Sequence, residues 1–233
     1  MNNRLETIAA MVPEGRGLID VGTDHGYLPA ALAGRGYGGK LFASDIREGP
    51  LQAAKHTAAA EGVADQIQFL LCDGLSQCDP TTIDTIVIAG LGGDTICRIL
   101  DQAEWTMDSQ YTMILQPMTK AEVLRYWLSN NEYEIIRETL VEDAGKLYSI
   151  LTVRFGRSEY LRDAELFTGS IQKVSKDPLF PRFLAIQIER IEKALAGIQA
   201  GRNGEDTGRQ RLLNTVLLEM KEIRNHGSFT GYI

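Results

Sequence analysis

At 233 residues with 44% hydrophobic side chains, the chain can bury one sizeable core, or a main domain with a small appendage, and is expected to fold and be soluble. No apolar run approaches the ~20 residues of a membrane helix, and the N-terminus lacks the basic-then-apolar order of a signal peptide, so no membrane partner is expected and the cytoplasm is the default location. A net charge of −7 disfavours a polyanionic partner for the chain as a whole, but residues 1–156 hold 12 Lys/Arg against 21 Asp/Glu (net −9) while residues 157–233 hold 12 against 10 (net +2).

In chain order, residues 3–12 read as a helix leading into a first strand. From residue 17 to 155, short apolar runs alternate with helical patterns, the signature of parallel strands with crossover helices. Strands are expected near 17–22, 40–45, 67–72, 84–89 and 111–116, with the clearest helices at 48–61 and 119–131. Two further runs, 133–142 and 147–155, are too closely joined for a parallel crossover and should form an antiparallel hairpin at one sheet edge, giving seven strands. After Gly156 the strand pattern stops, and Asp177 to Pro181 leads into a new periodicity. Leu184, Ile188, Ile191, Leu195 and Ile198, and then Leu213, Val216, Met220 and Ile223, recur at steps of four and three around a Gly201–Gly204 turn. The expected fold class is therefore α/β, with a main domain over 1–156 and an antiparallel, coiled-coil-like helical hairpin within 157–233. Cys72, Cys78 and Cys97 form no C-x-x-C pair and suggest neither disulfides nor zinc.

Three strand ends carry carboxylates. The stretch Leu18–Pro29 (LIDVGTDHGYLP) turns a strand into a glycine-broken loop with Asp20 and Asp24, and then into a helix. Asp45 closes the second strand and Asp73 the third. A single Asp at such a position also serves as a helix cap or turn residue; three at successive strand ends point to one ligand crevice. A dinucleotide site would need G-x-G-x-x-G and no negative charge beside the pyrophosphate, and neither condition is met. The carboxylates suit a cationic ligand without phosphates, a description that S-adenosylmethionine fits. Asp45 is placed for ribose hydroxyls and Asp73 for the adenine amino group, and Gly22 allows close backbone approach. The candidate cofactor-binding set is Asp20, Gly22, Asp24, Tyr27, Leu28, Asp45, Ile46, Asp73, Gly74, Ala89 and Gly90. Glycines in Ile88–Asp94 (IAGLGGD) leave room for a flat acceptor, and Gln116 offers a donor and an acceptor, so Leu91, Gly92, Gly93, Gln116 and Pro117 form the candidate substrate-binding set. His25 lies next to the site; His56 and His226 are assigned no chemistry. No Ser/His/Asp order, P-loop or metal-spaced cluster appears.

The combination of D-V-G-T-D-H-G-Y-L-P at 20–29, C-D-G-L at 72–75, I-A-G-L-G-G at 88–93 and L-Q-P at 115–117 resembles the bacterial tRNA (adenine-N1)-methyltransferases of the TrmK type over almost the whole chain. The resemblance implies a class I, Rossmann-like methyltransferase domain with a C-terminal coiled-coil appendage, S-adenosylmethionine as methyl donor and N1 of adenine 22 in the tRNA D-arm as acceptor. A monomer or weak homodimer is expected. Adenine N1 carries a free lone pair, so no base is required; the candidate catalytic residues Asp20, Asp24 and His25 would act as electrostatic partners and contacts. Arg182, Arg190 and Lys193 on the helical arm, with Lys120 and Arg125 near the crevice, are the basic residues expected to face RNA. Leu91 and Met118 depart from the family pattern, which has Met and Asn there. The residues alone leave open a methyltransferase acting on a small molecule or protein, and a non-catalytic module that binds the cofactor.

Overall fold

The computed structural model describes residues 1–200 and 207–225; the Gly201–Gly204 turn and His226 lie outside the described residues. The helices are α1 Asn3–Met11, α2 Tyr27–Gly34, α3 Glu48–Ala60, α4 Gly93–Asp101, α5 Ala121–Asn130, α6 Asp163–Thr168, α7 Ile171–Val174, α8 Phe180–Ala200 and α9 Thr207–Asn225. The strands are β1 Gly17–Val21, β2 Lys40–Asp45, β3 Ile67–Leu71, β4 Thr85–Gly92, β5 Thr112–Thr119, β6 Tyr133–Asp143 and β7 Lys146–Phe155. Among the described residues these strands form one seven-stranded sheet in the order β3-β2-β1-β4-β5-β7-β6. The first five run parallel, and β7 returns antiparallel beside β5.

The sheet is legible as continuous apolar runs because both its faces are covered. Leu18, Leu41, Ala43, Val87 and Ile114 pack with Ile8 of α1 and Leu28 and Leu32 of α2. Their strand neighbours Ile19, Ile86, Ile88, Met113 and Leu115, which point the other way, are buried as well. Each of the Val, Leu, Ile and Met side chains contributes roughly 1.5–3 kcal/mol by leaving water. The β6–β7 connection is a two-residue turn, Ala144 (φ 48°) and Gly145 (φ 75°). Two left-handed residues match the twist of the flanking strands, which fixes the hairpin register.

Strand order places the change of direction between β1 and β4. Chain connections run outward to β2 and β3 on one side and to β5 on the other, so a crevice opens at the carboxyl ends of β1 and β4. β4 and β5 run further than the apolar runs suggested, to Gly92 and Thr119, because the ladder shifts register between Ala89 and Leu91. A bulge there lets the strand pair continue into glycine-rich sequence that reads as loop.

Arg125 corrects an expectation. It does not face RNA near the crevice: its side chain is fully buried, and it donates to Ser149 Oγ of β7 at 3.0 Å. The rotation of α5 that buries Leu124 and Leu128 carries Arg125 inward with them. Beneath α5, Tyr133 stacks on Trp127, meets Phe155 edge-on and shares a 2.8 Å hydrogen bond with the buried Thr106 hydroxyl. Tyr133→Phe is expected to lower the unfolding free energy by about 1 kcal/mol with no loss of ligand binding, measurable by urea titration.

Two compact units are present, one of Met1–Arg137 with Val141–Glu159, the other of Glu138–Leu140 with the segment from Tyr160 onward. In the second unit the seam residues Leu184, Ile188, Ile191 and Leu195 of α8 and Leu213, Val216, Met220 and Ile223 of α9 are buried, and Lys221 bridges to Glu192 at 2.7 Å. The hairpin does not stand alone: α6 packs on both helices, and Glu219 of α9 accepts the Ala164 N–H at 2.9 Å, satisfying the start of α6. Among the described residues, no helix is long and apolar enough to cross a membrane.

Candidate methyltransferase site

The site is built on strand ends. Asp20 lies one residue before the end of β1, between Ala43 of β2 and Val87 of β4, and is 7% exposed. Directly after β1 the chain turns through Gly22 (φ 75°), and the N–H groups of Gly22 and Thr23 both donate to Ser44 O at 2.8 and 2.9 Å, pinning the loop to β2. A Cβ on Gly22 would lie 3.3 Å from Leu91, so the first loop and the β4 bulge meet there. Burial pushes the Asp20 carboxyl up to about 6, with the Thr23 hydroxyl and the charge of Arg4 pulling it back. A buried carboxylate held near neutrality in a crevice is poised to ionise against an incoming cation.

Around it the other candidates divide. Asp45, nearly buried at the β2 end, accepts the Arg47 N–H at 2.8 Å through Oδ1. Ile46 beside it is exposed, as is Tyr27. Asp24 is 76% exposed; His25 lies 3.5 Å from it and stacks on Tyr27 with ring centroids 5.3 Å apart. Leu28 is buried in the core beneath α2. Asp73 is not a free acceptor: both its oxygens face the Arg98 guanidinium of α4, at 3.2 and 3.5 Å. Gly74 follows with φ 57°, where an added Cβ would lie 3.1 Å from Ile99.

On the β4 and β5 side, Gly90 (φ 85°) sits in the bulge and donates its N–H to Gln116 Oε1 at 3.2 Å. Gln116 is fully buried, and its Nε2 donates to Pro117 O at 2.9 Å and approaches Met118 Sδ at 3.7 Å. The thioether thus takes up, as a weak acceptor, an amide hydrogen that a polar residue at 118 would otherwise meet. Gly92 pairs with Thr119, and Gly93 opens α4 against the Lys120 carbonyl. Lys120 is exposed and bridges to Asp94 at 2.7 Å, which keeps the Asp94 carboxyl below its usual range. The three residues of the second unit expected to face RNA have partners, Lys193 with Glu189 at 2.6 Å, Arg190 with Gln187 at 3.4 Å, and Arg182 as well. The three cysteines are free, and burial raises all three thiols, Cys78 to about 12 and Cys97 to about 11.

Two residues of the site went unread in the sequence. Arg98 is visible only once α4 is laid beside the β3 end. Arg4 had a signal: it falls with Ile8 and Met11 on one face of the N-terminal helix, a charge in an otherwise apolar stripe.

Carboxylates at the β1 and β2 ends, a glycine bulge at the β4 end, the absence of a phosphate-binding glycine fingerprint and a terminal antiparallel β6–β7 hairpin define an α/β protein of the Rossmann-like methyltransferase class. Residues 1–151 match the methyltransferase domain family. The chain is 28% identical to the tRNA (adenine(22)-N(1))-methyltransferase of Bacillus subtilis, covering 97% of this chain and 98% of that protein. A candidate tRNA (m1A22) methyltransferase from Streptococcus pneumoniae superposes with a TM-score of 0.82 at 32% identity, covering 96% of this chain and 99% of the other. The same protein crystallised with S-adenosyl-L-methionine gives a TM-score of 0.80 at 32% identity, covering 95% and 98%. The chain therefore belongs to the methyltransferase domain family and, within it, to the tRNA (adenine(22)-N1)-methyltransferases, the TrmK family.

Proposed function

We propose that this protein methylates N1 of adenine 22 in the D-arm of tRNA, with S-adenosylmethionine as donor. The observation that carries the reading is the buried Asp20 carboxylate, between the β2 end and the glycine bulge of β4, in a chain similar along nearly its full length to the Bacillus subtilis enzyme. The donor fits the residues present: it brings an ammonium for Asp20, ribose hydroxyls for Asp45 and no phosphate to meet either carboxylate. When bound, it supplies a sulfonium-bound methyl group that the N1 lone pair attacks in line while the S–C bond breaks.

The remaining work falls to the chain. Asp20 takes up a cationic group and, with Asp24, offsets the positive charge left on the methylated ring. Gly22 admits the ligand backbone-close, Tyr27, Ile46, Asp73 and Gly74 line the nucleoside end, and Leu28 backs the loop from the core. Ala89 and Gly90 border the cofactor and turn their carbonyls to the acceptor's amino group, and Leu91, Gly92, Gly93, Gln116 and Pro117 shape its slot. His25 contacts substrate from the exposed side of the first loop. No side chain removes a proton, because N1 needs none removed; positioning supplies the rate. N1 lies on the pairing edge, so the base must leave its stack at a cost of a few kcal/mol. Arg182, Arg190, Lys193 and Lys120 meet RNA phosphates, in a cytoplasmic monomer or weak homodimer.

The test is methyl transfer from labelled S-adenosylmethionine to bulk bacterial tRNA, followed by nuclease digestion and mass spectrometry. 1-Methyladenosine is the expected product. Cofactor binding by calorimetry with no incorporation into tRNA would reject the assignment in favour of another acceptor.

A further inference from the structure

Arg4 sits on α1, 112 residues before Gln116, yet its side chain is only 14% exposed and reaches the β5 end. Nη1 donates to Gln116 Oε1 at 2.5 Å, and Nε lies 3.9 Å from Asp143 Oδ2. Gly90 donates its N–H to the same Gln116 oxygen at 3.2 Å, and a Cβ on Gly90 would lie 3.6 Å from Arg4 Nη1. The two ends of a carboxamide are nearly the same size, so its orientation is decided by what surrounds it. A guanidinium and a backbone N–H have no acceptor to offer; both can face only the oxygen. Together they direct Gln116 Nε2 toward Pro117 O and Met118 Sδ. Removing Arg4 would take the shorter of the two donors from Oε1 and leave the buried amide held only by the longer Gly90 bond and the Nε2 bond to Pro117 O.

A purely structural anchor would not need this placement. Helix α1 is already held by Ile8 in the core and by the Asn3 side-chain bond to Glu142 O at 2.6 Å. Arg4 instead joins three strand ends of the candidate site: the charge felt by Asp20 at β1, the Gly90 bulge of β4 and Gln116 of β5.

We propose that Arg4 is a positioning residue for methyl transfer, fixing the Gln116 carboxamide and with it the Gly90 bulge against which the acceptor base is seated. The proposal rests on the methyltransferase reading above. It deepens that reading by naming a residue on α1 that acts through Gln116, with no contact of its own to the reacting atoms.

Arg4→Met removes every donor while keeping an unbranched side chain; Arg4→Lys restores charge and a donor. Arg4→Met is expected to lower kcat about 100-fold, the scale of a 1 Å misplacement, with KM for tRNA changed by less than about threefold. Arg4→Lys should recover at least a tenth of the wild-type kcat, on the order expected when the charge and one donor are kept on a shorter, unforked side chain. A second readout needs no turnover. In the ligand-free protein the side-chain NH2 resonances of Gln116, identified by their absence from Gln116→Glu, should move toward the positions of a freely rotating amide in Arg4→Met and stay near the wild-type positions in Arg4→Lys. If Arg4→Met does not fold, the Arg4→Lys spectrum decides: wild-type Gln116 resonances with a retained kcat support the proposal, displaced resonances with a wild-type kcat overturn it. Wild-type kcat and an unmoved Gln116 signal in Arg4→Met sink the proposal alone and leave the enzyme reading intact. A wild-type protein that forms no 1-methyladenosine sinks both.

Discussion

Asp20→Asn is expected to weaken S-adenosylmethionine binding at least about 100-fold, the cost of removing one partner of a buried charge pair, and at the same time to stabilise the unliganded protein. The second effect follows from burial. The Asp20 carboxyl is raised from 3.8 to about 6 because ionising it in the crevice is costly. The folded chain holds that proton more tightly than the unfolded chain, so folding takes up a proton between about pH 4 and pH 6, and stability falls as pH rises through this window. Above pH 6 the full cost is present, roughly 3 kcal/mol for a shift of about two units. An amide cannot ionise but must still be desolvated, so Asp20→Asn should recover about 2 kcal/mol at pH 8 and almost nothing at pH 4. Urea unfolding at both pH values measures this. Ligand affinity should run the other way in the wild type, falling as pH drops below about 6 because the proton competes with the bound cation. Equal stability gains at pH 4 and pH 8, or wild-type affinity in the variant, would remove Asp20 from the centre of the site.

How much of this was legible in the sequence depends on how local each cause is. β1, β4 and β5 announce themselves because a parallel strand covered on both faces has no polar alternation to blur it, as in Leu18-Ile19 or Ile86-Val87-Ile88. The β6–β7 hairpin was fixed by connection length alone. Where β4 stops was not, since its continuation depends on a bulge that pairs Leu91 with Pro117 on another strand. Side chains failed for the same reason. Arg125 looked like a surface cation because charge usually means exposure, but its partner Ser149 is 24 residues away and faces inward. Arg4 and Gln116 are separated by 112 residues, and no local pattern links them. Asp73 was recognisable as a strand-end carboxylate, yet whether its oxygens were available depended on Arg98, which only the packing of α4 brings alongside. Helices α6 and α7, six and four residues long, are too short to show a period, so the second unit read as two helices when it has four among the described residues, α6 packed on both long ones.

Gly93→Ala is expected to cost about 100-fold in kcat/KM while leaving cofactor affinity within a few-fold of wild type. A methyl group at 93 would lie 2.2 Å from the Lys120 carbonyl oxygen, 2.9 Å from its carbon and 3.2 Å from the Thr119 oxygen. All three are backbone atoms, so no rotamer change can relieve the overlap; the start of α4 and the β5–α5 turn must separate by about 1 Å, at roughly 1–3 kcal/mol. Lys120, already left-handed at φ 56°, has little freedom to swing its carbonyl aside. The separation falls on the acceptor side of the crevice. Gly92 is paired with Thr119, and the 3.2 Å bond from Gly90 to Gln116 lies on the same two strands, so opening the pair there loosens the slot for the base. Asp20 and Asp45 lie on β1 and β2, whose pairing the change does not touch, and this is why donor binding should survive. Gly34→Ala is the matched control: the position is helical, nothing lies within 4 Å of the added methyl, and the exchange should stabilise the protein by about 0.5–1 kcal/mol without altering turnover. Thermal unfolding, calorimetry with S-adenosylmethionine and tRNA methylation, run on both variants, separate the effects. Loss of donor affinity in Gly93→Ala to the same degree as loss of turnover would mean that the α4–α5 junction holds the whole crevice together, and that acceptor and donor sides do not move independently.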